Sequence, residues 1–536
     1  MLDAEARERD SLRVLASDRV AARLFKRDKS LWPPPSPGGD PPDRTLGWLD
    51  LPDDLPGLAG PLDEFARGVR QEGFTDAVVC GMGGSSMTAE VLRSIFQPRD
   101  GLLNLHVLDT VNPVTVQRLS QNLDLSRTLF LIASKSGTTI EPLTLEAHFR
   151  KVLGQKGADA SRHFAALSDA GSPMAERAGD GEFRQWFETP RDVGGRFSAL
   201  TVFGMLPAAL LGLSPTLLAP FAVRERNACR SNYEYNPGLL LGGSLGGNAL
   251  HGRDKVTLIT SPKLARFSLW VEQLLAESTG KNGRGLIPVA GEPLLEIGAY
   301  GQDRQFVYIR LDGDRNFETD GHVNRIEAAG HPVIQQEIGQ PEEIAGLFFR
   351  WEVATVVAAR VISVYPFDQP DVESAKQKAR AILSAMDQAE RAPAMGFAEA
   401  VEAATAATVP GSYVAIGAFI DESDALTSAF NRLRESISSR TGMATTFGYG
   451  PRYQHSIGQL YKGGPAEVRM LVVKSHGTVD LAAPGTSYTL SALSGALADG
   501  DAEAMRDKGR RSEAVVLGDN PVAEVIAAAA KLDQKH

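Results

Sequence analysis

The chain has 536 residues, enough for two or more domains with well-buried cores. Hydrophobic residues make up 43% and charged residues 23%, which is the balance of an ordinary globular protein. A formal net charge of -10 without a basic run argues against a nucleic-acid partner, although a local positive cleft could still accept an anionic substrate.

Targeting and metal-binding signals are also missing from the sequence. No apolar run approaches the roughly 20 residues of a membrane span, so we expect no membrane partner. The charged start, MLDAEARERDSLR, lacks the apolar core of a signal peptide. The two cysteines, Cys80 and Cys229, favour a reducing, cytoplasmic location, and the histidines show no HxxxH spacing, so we expect no metal site.

The predicted elements begin with an N-terminal helix and a Pro/Gly-rich arm, which together occupy residues 1–50. From residue 51 short apolar strands alternate with helices, the pattern of a doubly wound parallel sheet. We expect a first α/β domain over residues 51–235, with phosphate-binding loops. Its predicted strands are Ala77–Cys80, Leu105–Leu108, Thr128–Ala133 and His163–Leu167.

A second, similar α/β domain is predicted over residues 236–390, followed by a C-terminal α/β segment over residues 391–536. The fold class is therefore α/β, with two doubly wound parallel-sheet units and a further α/β piece. The strands predicted for these parts are Lys255–Thr260, Phe306–Leu311, Val333–Glu337, Tyr413–Ile420 and Val468–Lys474.

The run from Ser134 to Thr139, SKSGTT, ends a buried strand and precedes a helix. Its hydroxyls, its glycine and the positive end of the helix dipole predict a pocket for a phosphate monoester. A hydroxyl-rich helix cap is the alternative. The sequence therefore favours a phosphate site at this edge of the sheet, where ligands of open α/β sheets bind.

A second loop, Gly81 to Ser86 (GMGGSS), follows another strand of the same sheet. It resembles the dinucleotide fingerprint GxGxxG, but Ser86 replaces the third glycine, and Asp109 would have to serve as the ribose-binding acid. A ligand loop and tight strand–helix packing are equally good interpretations of this motif.

Four further motifs are weak when each is taken alone. Arg196 ends the turn VGGR and could stabilise an oxyanion, or could be a surface arginine. Glu277 ends a predicted helix, where the dipole would raise its pKa and suit a general base, or it is an ordinary exposed Glu before a glycine cap. The segment 367–376, FDQPDVESAK, is typical of a capped helix, and the lone His455 in segment 453–464 is typical of a structural histidine.

Together, the motifs GMGGSS, SKSGTTIE, VGGRFS, ESTGK and FDQPDVESAK resemble the glucose-6-phosphate isomerase family of sugar-isomerase (SIS) folds. The resemblance is closest to the isomerase half of fused transaldolase–isomerase proteins, although this chain has no transaldolase portion. It implies interconversion of glucose 6-phosphate and fructose 6-phosphate in glycolysis and gluconeogenesis, through an enediolate and without a cofactor. It also implies a homodimer in which a histidine loop reaches the neighbouring site.

The resemblance also implies a role for each matching residue. Glu277 would be the base, Arg196 would stabilise the intermediate, and Lys376 and His455 would move protons during ring opening. The substrate and its phosphate would be held by Gly84, Ser85, Ser134, Lys135 through its backbone, Ser136, Thr139 and Gln369.

One departure concerns the histidine, which in the family lies between the ESxGK and FDQ motifs. Here that interval contains His322 and His331 in unfamiliar settings, and Asp303 stands in a GQ segment where the histidine belongs. His455 has family-like neighbours, but it lies beyond FDQ. We therefore expect a rearranged chain order that brings His455 to the same site.

Three rival functions follow from the same motifs. An isomerase could accept mannose 6-phosphate as well as glucose 6-phosphate. A non-catalytic sugar-phosphate regulator could keep the hydroxyl loop, but it would not need Glu277, Arg196 and Lys376 together. A dinucleotide dehydrogenase is disfavoured by the missing third glycine.

Overall fold

The computed structural model describes residues 12–231, 235–384, 395–406, 408–475, 477 and 479–534. The start of the predicted N-terminal helix lies outside the described residues, and a helix Val20–Phe25 follows it. The sequence also predicts a helix that follows the FDQPDVESAK segment and reaches about residue 388, and the end of that helix lies outside the described residues. Within the described residues, no helix is long and apolar enough to cross a membrane.

The first unit is a parallel five-stranded sheet with the order β2-β1-β3-β4-β5. It confirms the four predicted strands and adds β5, which the pattern missed because exposed and buried residues mix along it. The strands are β1 Asp76–Gly81, β2 Asn104–Leu108, β3 Thr128–Ala133, β4 Phe164–Asp169 and β5 Gln185–Thr189.

The second and third units are parallel four-stranded sheets with the orders β7-β6-β8-β9 and β11-β10-β12-β13. The predicted α/β class is confirmed, and the C-terminal piece is a complete third unit. Its strands and those of the second unit are β6 Lys255–Thr260, β7 Ile287–Val289, β8 Arg304–Leu311, β9 Val333–Ile338, β10 Tyr413–Phe419, β11 Ala444–Tyr449, β12 Val468–Ser475 and β13 Arg511–Leu517.

Helices cover the sheets and join the units. The apolar sequence after VGGRFS predicts a helix over residues 199–213, but the observed helix covers only Val202–Leu210. It begins late because residues 195–197 form a 3-10 turn and Thr201 caps the helix by accepting the Phe203 N–H. The helices after Val20–Phe25 are Leu51–Gln71, Gly84–Ile95, Pro113–Asn122, Ile140–Gln155, Pro173–Gly179, Val202–Leu210, Pro215–Arg230, Pro237–Leu250, Ala265–Thr279, Phe317–Ala328, Ile344–Val361, Glu373–Ser384, Phe397–Thr405, Asp424–Thr441, Gly458–Gly463, Leu490–Asp507 and Pro521–Asp533.

The helix Ile344–Val361 is the centre of the largest hydrophobic core, with nearly all of its residues buried. It packs against Pro237–Leu250, where a side chain at Gly242 would meet the Ala354 carbonyl at 2.3 Å. This close helix contact, with burial worth about 1.5–3 kcal/mol for each large apolar side chain, stabilises the helical layer of the second unit.

Candidate active site

The SKSGTT loop turns sharply between β3 and the helix Ile140–Gln155. Gly137 adopts a φ of +67°, and a side chain there would press on Ser172 and Met174 at about 3 Å. The turn gathers the hydroxyls: Ser134 Oγ lies 2.9 Å from Thr139 Oγ1, and Ser136 Oγ lies 2.8 Å from Thr138 Oγ1. Four hydroxyls therefore stand at the positive end of a helix, which suits an anion.

The side chain of Lys135 points away from these hydroxyls. Its Nζ donates to both carboxylate oxygens of Asp169, at 2.8 and 2.7 Å, and to the Pro190 carbonyl at 2.9 Å. A ligand at the loop would therefore meet the backbone of Lys135 rather than its ammonium group.

The GMGGSS loop serves close packing in this structure. Gly83 has a φ of +56°, and a Cβ there would lie 2.5 Å from the His455 carbonyl oxygen. A Cβ at Gly84 would lie 1.9 Å from the Gly195 carbonyl oxygen. The Ser85 hydroxyl donates to the Met82 carbonyl at 2.8 Å, within the same loop. The glycines thus let the loops that carry Arg196 and His455 pack directly against the GMGGSS loop.

Glu277 lies at the centre of a buried polar cluster and is 4% exposed, which excludes the alternative of an exposed helix-end residue. Its Oε2 accepts from Gln369 Nε2 at 2.8 Å and from Arg196 Nη1 at 3.2 Å, and its Oε1 accepts from Gln273 Nε2 at 3.4 Å. Burial is the main cause that raises the Glu277 pKa, and the positive Arg196 opposes it in part. The raised pKa was expected from the helix end, but burial dominates instead.

Arg196 is itself buried and ties three segments together. Its Nε donates to Ser278 Oγ at 2.8 Å, and its Nη2 donates to the Pro366 carbonyl at 2.5 Å. Lys281 supports the same segment, with Nζ 2.6 Å from the Tyr365 carbonyl and 3.1 Å from Asp368. These bonds hold Gln369 beside Glu277.

His455 reaches the first unit from the third. Its Nε2 lies 2.8 Å from Glu141 Oε1, and its backbone carbonyl accepts from Gln273 Nε2 at 3.0 Å. Burial alone would raise the pKa of Glu141, but the charge of His455 and its hydrogen bond outweigh burial, so this pKa lies below its ordinary value. Gln273 contacts both Glu277 and the His455 loop, so it joins the two groups.

A cavity of about 310 Å³ lies between the hydroxyl loop, Lys376 and His455. Glu277, Arg196 and Gln369 form the buried cluster that Gln273 connects to the His455 loop. The cavity is lined by Ser136, Thr138, Thr139, Ile140, Glu141, Val372, Glu373, Ala375, Lys376, Ala379, Arg380, Leu383, Gln454, His455, Lys462, Leu493, Leu497 and Asp501.

The other histidines and the candidate ribose acid lie elsewhere. His322 contacts the Tyr300 hydroxyl at 3.2 Å, and His331 packs on the Phe306 ring at 5.3 Å. Asp109 is buried 3.6 Å from Arg452, outside the lining of the large cavity. This position gives no support to a ribose-binding role.

Sequence reasoning missed two residues of this site, Glu141 and Gln273. Glu141 directly follows the hydroxyl loop, and Gln273 precedes Glu277 by one helical turn on the same face. The sequence shows these spacings, but it does not show that His455 contacts both Glu141 and Gln273.

Parallel α/β units with a hydroxyl loop beside buried acid and base groups define the class of sugar-isomerase folds. A crystal structure of a hypothetical protein from Thermus thermophilus matches 70% of this chain and 97% of its own, at a TM-score of 0.58 and 25% identity. The glucose-6-phosphate isomerase of Chlamydia trachomatis shares the fold, at a TM-score of 0.54 and 20% identity, over 69% of this chain and 78% of its own.

Sequence comparison finds similarity to one enzyme family. The phosphoglucose isomerase family model matches residues 65–286. A probable glucose-6-phosphate isomerase of Methanococcus maripaludis is 26% identical over 63% of this chain and 84% of its own length. The glucose-6-phosphate isomerase of Rubrobacter xylanophilus is 28% identical over 63% of this chain and 88% of its own length. This chain is therefore similar to the phosphoglucose isomerase family over residues 65–286 and to glucose-6-phosphate isomerases over about 63% of its length.

Proposed function

We propose that this protein interconverts glucose 6-phosphate and fructose 6-phosphate. The observation that carries the proposal is the buried Glu277, held by Arg196 and Gln369 and joined through Gln273 to the loop of His455, which lines the cavity with the hydroxyl loop. The match to the phosphoglucose isomerase family model and the names of similar proteins support the same reaction. A sugar-phosphate partner in the cytoplasm follows as part of the proposal.

The hydroxyl loop holds the phosphate. Ser134, Ser136 and Thr139 can donate to its oxygens, and the N-terminus of the helix Ile140–Gln155 adds partial positive charge. Anchoring the phosphate fixes one end of the sugar. The reacting carbons then extend toward His455 and Lys376, which line the same cavity.

Ring opening needs one group that protonates the ring oxygen and another that removes a proton from the anomeric hydroxyl. His455 and Lys376 are two groups in this cavity with transferable protons, and Glu141 fixes the orientation of the His455 ring through Nε2. Ring opening requires only proton transfers, and these protons come from side chains and return to them.

Isomerisation of the open chain moves a proton between two carbons. Glu277 removes the proton from carbon 2 and returns it to carbon 1, while the hydroxyl protons redistribute between the two oxygens. Arg196 stabilises the negative charge of the enediolate. The raised pKa of Glu277 brings this carboxylate closer to the basicity that a general base needs near neutral pH.

A coupled assay that follows fructose 6-phosphate formation from glucose 6-phosphate tests the proposal. We expect turnover by the wild-type protein and a loss of about 10²-fold or more in His455→Ala, while His331→Ala retains activity. Absence of turnover, with retained binding of fructose 6-phosphate in a thermal-shift assay, would instead support a sugar-phosphate regulator.

Mannose 6-phosphate is the second substrate to compare. Both sugars give the same enediolate, so the residues around Glu277 serve either one. Equal rates of fructose 6-phosphate formation from the two aldoses would make the protein a bifunctional isomerase. The kinship to fused transaldolase–isomerase proteins stays a prediction.

A further inference from the structure

The second and third units are more alike than the shared strand order requires. In both, the first strand leads into a long helix, Ala265–Thr279 or Asp424–Thr441, that ends in Thr-Gly and is followed by a short edge strand. In both, the chain then reaches the next strand through a loop with short helical segments, Ile297–Ala299 in the second unit and Arg452–His455 and Gly458–Gly463 in the third. The first unit has instead the ten-residue helix Pro113–Asn122 at this point.

The two helix ends also make the same hydrogen bonds. The threonine hydroxyl donates back one turn, from Thr279 to the Leu275 carbonyl at 2.7 Å and from Thr441 to the Ile437 carbonyl at 2.6 Å. The same hydroxyls accept the backbone N–H of Leu286 at 2.9 Å and of Met443 at 3.1 Å. This agreement in residue type and bonding identifies the two units as repeats of one design.

The repeats keep complementary halves of the site. Two residues before the threonine, the second unit has the buried Glu277, whereas the third unit has the exposed Ser439. After the short edge strand, the third unit has the loop with His455, whereas the corresponding loop of the second unit, residues 290–303, contains no histidine. Each unit therefore lacks what the other supplies.

The repeats also face each other through equivalent positions. Seven residues before the threonine stand Glu272 in the second unit and Arg434 in the third. Arg434 donates to the carbonyls of Ala290 at 3.1 Å and Gly291 at 2.7 Å, just after the short edge strand of the second unit. Glu272 accepts from Ser456 at 3.1 Å, in the loop after the short edge strand of the third unit. Such reciprocal contacts are typical of two copies related by a two-fold axis.

We propose that residues 391–536 are a second copy of the second unit, kept in the same chain to supply His455 to the site that holds Glu277. This inference rests on the proposed function. One chain then contains a complete site, and no second subunit is needed to bring a histidine. It replaces the expectation of a homodimer in which the histidine loop enters the neighbouring site.

Mixing two inactive variants tests the proposal directly. Glu277→Gln and His455→Ala chains with different tags are co-expressed, and the mixture is assayed for isomerase activity. We expect no more than the sum of the two separate activities, because each chain carries one defect in its own site. If sites are shared between chains, mixed dimers carry one intact site, and roughly a quarter of the wild-type activity returns. That recovery would overturn the proposal.

A cross-linking measurement covers the case in which the wild type does not isomerise glucose 6-phosphate. Glu141→Cys and His455→Cys are combined in one chain, and a short bismaleimide joins the two thiols. Cys80 and Cys229 are buried, which limits their competition. The proposal predicts a joined peptide pair within one chain on denaturing gels and by mass spectrometry. A species of two linked chains contradicts the proposal, whatever the activity of the protein.

Discussion

The guanidinium of Arg196 and the carboxylate of Glu277 form an ion pair inside the protein, with Nη1 3.2 Å from Oε2 and both side chains at most 5% exposed. A buried ion pair is costly unless further hydrogen bonds compensate the lost hydration. Here Gln369, Gln273 and Ser278 supply them. The pair keeps a carboxylate and a cation in fixed positions before any substrate binds.

Glu277→Gln tests this base. We expect kcat to fall by about 10²–10⁴-fold, because glutamine cannot accept the proton from carbon 2. KM stays near the wild-type value, since the phosphate is held elsewhere. Steady-state kinetics check this, with Glu435→Gln on the equivalent helix of the third unit as the control. Wild-type turnover in Glu277→Gln would remove Glu277 from the mechanism.

The pH dependence of kcat/KM reports the same group. Burial raises the Glu277 pKa, so the inactive protonated form persists to higher pH than for an exposed glutamate. Activity should therefore rise with pH through a midpoint above 4.5, the ordinary value. A midpoint at or below 4.5 in the acidic part of the kcat/KM profile would show that water reaches Glu277 more than its buried contacts indicate.

Ser136→Ala probes the phosphate site. The loss of one hydroxyl from the loop should raise KM by roughly tenfold to a hundredfold, the effect of one hydrogen bond to a charged group, with a smaller change in kcat. Ser126→Ala is a matched control, because its hydroxyl bonds to Asp124 on the exposed surface. A fall in kcat with an unchanged KM would contradict a phosphate-holding role.

Glu141→Gln probes the partner of His455. The amide keeps the size of the side chain but removes the carboxylate charge that lies 2.8 Å from His455 Nε2. We expect turnover of the cyclic sugar to drop more than turnover of the open-chain fraction. Turnover of fructose 6-phosphate measured beside that of 5-deoxyfructose 6-phosphate, which cannot close a ring, separates these two rates. Equal losses on both forms would place Glu141 outside ring opening.

Asp501 anchors the His455 loop from behind. It accepts from the Tyr453 hydroxyl at 2.7 Å and from Lys462 Nζ at 2.5 Å, and both donors flank His455 in sequence. Asp501→Asn should lower kcat more than it raises KM, because the loop loses the ion pair between Lys462 and Asp501. Asp499→Asn on the same helix is the control, since Asp499 pairs with Lys474 and touches neither donor. Equal kinetics in both variants would show that the anchor is dispensable.

The sequence predicted the strands that are buried along their whole length, such as β1, β3 and β10. It missed β5, β11 and β13, where buried and partly exposed residues mix, and the three-residue β7, which is too short to show a period. Because β11 and β13 gave weak signals, the sequence predicted only two of the four strands of the third unit.

The chain by itself determined which chemistry is present: hydroxyls at a strand end, a glutamate near a helix end, and a histidine in a glycine-rich segment. These are local features, because residue type and spacing set them. Only the tertiary structure decided that His455 meets Glu141, 314 positions away, and that Gln273 joins its loop to Glu277. Packing between whole units brings those groups together, and no short-range pattern in a chain records which units will pack.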